Sequence, residues 1–463
     1  MKKFLKITPF FFLLLLVIFV FGAFGSAPEE IKKVSVVLIG GWSLYAVIFF
    51  PRQWLVPKIP VFCLILVVAI LIFGWLVTLN AKASYSFVDF SFKEIENRFW
   101  KQGPGTVTQK ASVAKMWEVT ALFLAFLAVV RSCESRWWKW VLGMFPVLGA
   151  AITCIGLYHR AIDASSVWLV DQIHPETFFA PYVYNANAGA LLNFCGAIAF
   201  SFWISSLGQT ILSRKVFWGL LTLLSFAGSV ATASKGAFLV MLITVGLCGL
   251  AHRGRIFSTV TLGFKNLKSS KLESRVLAGT FLILVFLFFV VGLPSLLSRV
   301  TGLLEDLRAG DSATVNGRLG IMKVLLKMSY PNEGGYVGFG PGSFSIVVPY
   351  FLAKEEPVIL GRWIHGHCDP LQLIAEWGYF GAAAWILFGS GALVRGVILL
   401  RRNVPSVSHR PLMRGAIVAL TSLIVHSFFD FPFGLLSIKF AAMLAIGVLW
   451  GYKNSERDPD PKV

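Results

Sequence analysis

The segment His365-Gly366-His367-Cys368-Asp369-Pro370 sets two imidazoles immediately before an apolar stretch of membrane grade. An imidazole titrates near neutrality, so a neutral histidine in this place can take a proton from a hydroxyl group as a general base. His367 is the first candidate for that role and lies just before Asp369 and Pro370, an N-cap and first-turn pair that would open a helix. The alternative is an interfacial histidine satisfied by loop carbonyls, and residue chemistry alone does not choose between them. A His-x-His pair can also present both rings on one face of an extended segment as metal ligands. Few further ligands lie nearby, however, and the one Asp-x-Asp pattern, Asp458-Pro459-Asp460, belongs to the polar C-terminal tail. No metal and no other cofactor is expected. The six cysteines show neither a disulfide framework nor zinc spacing.

These residues have to be positioned by helices in a bilayer. Of 463 residues, 56% are hydrophobic and 14% charged, and the mean hydropathy is +0.74, far from the balance of soluble domains. Apolar runs long enough to cross a hydrocarbon core of roughly 30 Å occur at 8–25, 33–50, 60–79, 113–130, 138–158, 186–207, 215–232, 236–251, 276–293, 371–394, 412–429 and 434–451. The expectation is an all-α integral membrane protein of about twelve spans, the first retained and not cleaved as a signal peptide. The net charge of +19 comes from clusters that punctuate the spans, among them Arg131/Arg136/Lys139, Arg253/Arg255/Lys265 and Arg401/Arg402/Arg410/Arg414. Orientation by the positive-inside rule and contact with anionic membrane lipids account for it, and no nucleic acid partner is expected.

With the N-terminus in the cytoplasm, all these clusters fall on the cytoplasmic side. The long non-spanning stretches 80–112, 159–185 and 294–370 then face outward. Within the last of them, Leu293 to Leu307 and Leu319 to Met328 carry apolar residues at helical spacing with charges interleaved, the pattern of short amphipathic helices on a membrane surface. Gly338-Phe339-Gly340-Pro341-Gly342 demands a tight, irregular backbone, expected to cap a cavity between the helices. The chain divides into N-terminal spans (1–185), central spans (186–293), the large outward loop (294–370), C-terminal spans (371–452) and a cytoplasmic tail (453–463).

The His367-to-Gly378-x-x-Gly381 segment resembles the signature of the O-antigen ligase and polymerase family of membrane glycosyltransferases, except that Cys368 stands where the family usually has Asn, Ser or Gln. Arg318, in Asn316-Gly317-Arg318, resembles the family's loop arginine. A guanidinium is fixed in charge and forked, suited to pyrophosphate, although a solvated arginine at a helix start is the simpler role. Lys235, in Ser234-Lys235-Gly236, stands where the family often has Arg and can lend a point charge to phosphate or snorkel to the interface. The segment from His426 to Asp430 is also similar to a family segment, with Asp430 able to orient His426 or Arg318 or to form a packing ion pair. Asn187 opens the sixth span in a family-like context, where it can bind substrate or cap the helix. Glu376 matches the pattern too, with loop packing or buffering of arginines as its options, and His365 completes the substrate-binding candidates.

The resemblance implies a lipid-dependent glycosyltransferase fold of the GT-C type in the inner membrane, with the active site facing the periplasm. It implies a polyprenyl-pyrophosphate-linked glycan, undecaprenyl pyrophosphate its carrier, as donor and a lipid A core as acceptor, with His367 and Arg318 catalytic and inverting displacement without metal. Polymerisation of glycan repeats and transfer to protein hydroxyls share this machinery. A transporter or flippase of lipid-linked solutes is the alternative of another class. Glu118, near the start of the fourth run, is its main supporting charge.

Overall fold

The computed structural model describes residues 2–23, 25, 28–49, 59–86, 88, 91–133, 137–162, 164, 166–167, 170–171, 178–207, 211–266, 301, 313–330, 335–352 and 363–453. Helices dominate: α1 (Lys2–Gly22), α2 (Glu29–Phe49), α3 (Val61–Leu79), α4 (Gln109–Ser132), α5 (Trp137–Ala161), α6 (Asn185–Ser206), α7 (Leu212–Ala231), α8 (Lys235–Asn266), α9 (Ala313–Met328), α10 (Phe344–Leu352), α11 (Asp369–Arg401), α12 (Arg410–Ser427) and α13 (Leu436–Gly451). Every expected apolar run except 276–293, which lies outside the described residues, coincides with one of them. Among the described residues, α3, α4, α5, α6, α11 and the Lys235–Ser258 part of α8 are long and apolar enough to cross a membrane. The chain is thus a mostly helical membrane protein. To the expected helices the structure adds two small antiparallel hairpins, β1 (Ala83–Ser86) with β2 (Ser91–Glu94), and β3 (Ser166–Val167) with β4 (Val170–Asp171).

The chain forms two compact units. The first comprises Met1–Ser135, Ala313–Arg395 and Ser427–Tyr452, and the second Arg136–Ser312, Gly396–His426 and Lys453–Val463.

In the first unit, α4 is the axis, packed by α2, α3 and α13. The physics of a membrane helix is plain in α3. Cys63, Leu66, Val67, Ile70, Gly74 and Val77 recur at three- and four-residue spacing and are buried. Phe62, Leu64, Ile65, Val68 and Ile72 on the remaining surface are apolar yet exposed, which suits hydrocarbon as the solvent. The amphipathic helix expected at 319–328 is present as α9. Its Ile321, Val324, Leu325 and Met328 join Phe344, Val347, Val348 and Phe351 of α10 and Ala375 of α11 in one buried cluster. The companion amphipathic stretch at 293–307 lies almost wholly outside the described residues.

The second unit is organised around α6, against which α5, α7 and α8 pack. Alanine, glycine, serine and asparagine fill α6, and small residues let helix backbones approach closely in a bilayer. Gly189 illustrates this, since an added Cβ would meet Ala237 of α8.

Candidate functional site

The site is built in the first unit by the approach of two segments, 363–378 and 430–434. His367 Nδ1 lies 3.1 Å from Asp430 Oδ1, a hydrogen bond and ion-pair distance. Asp430 is buried, and its Oδ1 also accepts the Phe431 backbone N–H at 3.0 Å. The imidazole stands edge-on to Phe431, with centroids 4.7 Å apart, and to Trp363 at 5.6 Å. Its backbone has φ 49°, a left-handed conformation uncommon for a residue with a side chain, and such strain concentrates at functional sites.

His365 lies flat on Phe431, with centroids 4.5 Å apart and planes 16° from parallel. Burial, reinforced by Lys439, Lys115, Lys32 and His367, pushes its pKa down to about 3, so this ring is neutral across the physiological range. A Cβ added to Gly434 would sit 2.8 Å from the ring, which explains a glycine there. Asp369 was expected to cap the following helix. Instead it is the first residue of α11, and its Oδ2 accepts the Phe433 N–H at 2.9 Å. One carboxylate therefore ties the two segments a second time. Cys368 is buried, and burial raises its thiol pKa.

A chain of hydrogen bonds supports this floor. Gly366 N–H donates to Gln372 Oε1 at 2.9 Å, Gln372 Nε2 donates to Glu376 Oε1 at 3.0 Å, and Gly342 N–H donates to Glu376 Oε2 at 2.9 Å. Of the two roles open to Glu376, loop packing is the one visible here. The glycine-rich loop adopts the irregular backbone its composition demands, with φ of 75°, 107° and 74° at Gly338, Gly340 and Gly342. It docks where α11 breaks at Gly378 (φ 65°, ψ 179°). Phe339 N–H bonds Ala375 O, Gly340 N–H bonds Glu376 O, and Tyr379 N–H bonds Gly335 O. A Cβ on Gly378 would strike the Tyr336 carbonyl, and one on Gly338 the Glu376 carbonyl. Both glycines are required by close backbone approach as well as by sign of φ.

Arg318 is exposed on α9. Leu325 of the same helix packs against Gly366, where an added Cβ would lie 2.5 Å from its Cδ1. Seven residues separate Arg318 from Leu325, so the arginine lies about 10 Å along α9 from Leu325, on the same face of that helix.

Other candidates belong to the second unit. Lys235 is exposed and opens α8 after the tight turn Thr232-Ala233-Ser234, in which Ala233 has φ 60°. Asn187 is buried, and its side-chain oxygen has no hydrogen-bond partner. Capping of α6 by an asparagine is not what the structure shows: the N-cap is Tyr184, without a side-chain cap bond. His426 is buried at the end of α12. Asp430 was expected to orient His426 or Arg318, and the hydrogen bond found is the one to His367.

The lysine grouping around Glu118 is not apparent from the sequence. Glu118, fully buried in α4, is surrounded by three lysines. Its Oε1 takes hydrogen bonds from Lys115 at 3.1 Å and from Lys439, and its Oε2 is 3.5 Å from the Lys32 ammonium. The available signal was Lys439 itself, a lone cation inside the apolar run 434–451, since ionisable residues in such runs are rare and functional. Among the described residues, no three His, Cys, Asp or Glu side chains are grouped to hold a metal ion.

No curated protein matches the chain. Residues 220–386, which contain Lys235, Arg318, His365, His367 and Glu376, match the family model described as O-antigen ligase, and this match supports the likeness of the chain to the O-antigen ligase-like family.

Proposed function

We propose that this protein is a membrane glycosyltransferase that moves a glycan from a polyprenyl-pyrophosphate carrier to a hydroxyl of an extracytoplasmic acceptor, a lipid A core in the first instance. The observation that carries the reading is the His367–Asp430 pair, held in strained backbone between two aromatic rings, in a chain whose central segment is O-antigen ligase-like.

With Nδ1–H donated to Asp430, the lone pair of His367 resides on Nε2, the nitrogen that takes the acceptor proton. Asp430 fixes the ring and stabilises the imidazolium as it forms. The acceptor oxygen bonds to the anomeric carbon, the bond from that carbon to the phosphate oxygen breaks, and the electron pair leaves with the lipid pyrophosphate. Configuration inverts in a single displacement. Arg318, about 10 Å along α9 from the Leu325–Gly366 contact, meets the phosphate of an extended donor in this reading and neutralises its growing charge. The positive-inside pattern supports twelve spans in an inner membrane, with this centre on the periplasmic side.

The test is product identification. Purified protein is incubated with a defined lipid-linked glycan and either a lipid A core or further donor, and products are read by mass spectrometry. A glycan joined to the core supports this reading. A lengthened lipid-linked glycan assigns polymerisation, and donor moved across a liposome without a new glycosidic bond assigns transport.

A further inference from the structure

The lysines around Glu118 occupy the same end of three helices. Lys32 is in the first turn of α2, Lys439 in the first turn of α13, and Lys115 in the second turn of α4. Cations are disfavoured at helix N-termini, where the peptide dipoles already present positive potential. Gathering three ammonium groups there opposes the helix electrostatics, and among the described residues the carboxylate in ion-pair contact with all three is Glu118. Glu118 satisfies them unequally. Both hydrogen bonds fall on Oε1, while Oε2 makes none and meets only the Lys32 ammonium at 3.5 Å. Glu376 also bears on Lys115 electrostatically, but its oxygens are engaged by Gly342 N–H and Gln372. Asp369 spends Oδ2 on Phe433 N–H.

The cluster adjoins the proposed centre. Lys115 Cβ lies 3.0 Å from the position of a Cβ on Gly342, in the loop anchored by Glu376. The field of all three lysines also reaches His365.

We propose that Lys32, Lys115 and Lys439, organised by Glu118, form an anion seat for a phosphate or pyrophosphate group beside the His365–His367 segment, distinct from Arg318. Three convergent ammonium groups, each a compact point charge with three donors, suit the many acceptor oxygens of a phosphate. Glu118 serves as the internal counterion that holds the lysines together while the seat is empty, which removes it from the list of transport charges. The proposal rests on the glycosyltransferase reading for the identity of the anion but not for its binding.

The experiment measures binding to the purified full-length protein in detergent by titration calorimetry. The probes are inorganic pyrophosphate and polyprenyl phosphate, with sodium chloride at matched ionic strength as control. Lys32→Gln is the variant least exposed to folding failure, because the Lys115–Glu118–Lys439 bonds survive it. It weakens pyrophosphate about tenfold, the loss of one charge-assisted contact, and Lys115→Gln does the same. Glu118→Gln removes the competing carboxylate and tightens pyrophosphate severalfold even as it lowers Tm, a result that a purely structural network would not give. Tighter polyprenyl phosphate than pyrophosphate assigns the seat to the lipid-linked form, and the reverse assigns it to the released anion. Wild-type affinity in both lysine variants, or weaker binding in Glu118→Gln, overturns the seat. Lysine-dependent binding without any glycosidic product would leave the seat standing and remove the glycosyltransferase reading instead.

Discussion

Replacing Asp430 by Asn removes the charge behind His367 and keeps an oxygen acceptor in its place. The amide oxygen can still accept both the imidazole N–H and the Phe431 N–H that Asp430 Oδ1 accepts at 3.1 and 3.0 Å, so the buried groups keep partners and the fold is preserved. What disappears is the carboxylate's stabilisation of an imidazolium formed as the acceptor proton moves. A hydrogen bond to a charged group is worth roughly 1.5–3 kcal/mol, and each 1.36 kcal/mol is tenfold in rate. The expected fall is therefore about 10- to 150-fold in kcat, with KM for the lipid-linked donor nearly unchanged. The assay is steady-state transfer in detergent with matched protein amounts, accompanied by a thermal unfolding scan. A double-mutant cycle sharpens it, because Asp430→Asn adds nothing once His367 is Ala if the two act as a unit. Unchanged kcat in Asp430→Asn, or an additive further loss in the double variant, would refute the reasoning.

Three further outcomes are expected. Gly378→Ala forces φ near 65° on a residue with a Cβ aimed at the Tyr336 carbonyl; it costs at least about 1–2 kcal/mol, seen as a lower Tm and faster proteolysis within 335–343. Arg318→Ala leaves Tm unchanged, since the side chain is exposed, and reduces transfer at subsaturating donor, with Lys restoring part of it. His365 has a folded pKa lowered to about 3 from an ordinary 6.5. Its stabilising contribution is complete above pH 6.5 and is lost as pH falls from there towards 3, because only the unfolded state binds the proton in that window. His365→Phe keeps the stack on Phe431, and its Tm falls less between pH 7.5 and 4.5 than that of the natural protein.

Much of the helix layout was legible because hydropathy in a bilayer is a one-dimensional signal. A run such as 60–79 must be a helix to satisfy its backbone, and α3 occupies Val61–Leu79. The glycine-rich loop was legible for a similar reason, since Gly338, Gly340 and Gly342 are placed where φ is positive. Pairings between distant segments were not. His367 and Asp430 are 63 residues apart, and nothing in the local pattern around Asp430 favours His367 over His426, four residues before it. Asp369 reads locally as a cap, yet a tertiary donor, Phe433 N–H, claims one of its oxygens. Lys439 stands out as a lone cation in an apolar run, but only folding brings it together with Lys32 and Lys115 on one carboxylate.

The central claim is that His367 performs proton transfer in glycan transfer. It is tested most directly by a single-turnover reaction of purified His367→Ala with a defined polyprenyl-pyrophosphate-linked glycan and a lipid A core acceptor, at wild-type protein abundance and Tm. The account predicts that product formation falls by at least about a hundredfold while the donor still binds. Product formed at the wild-type rate would contradict it.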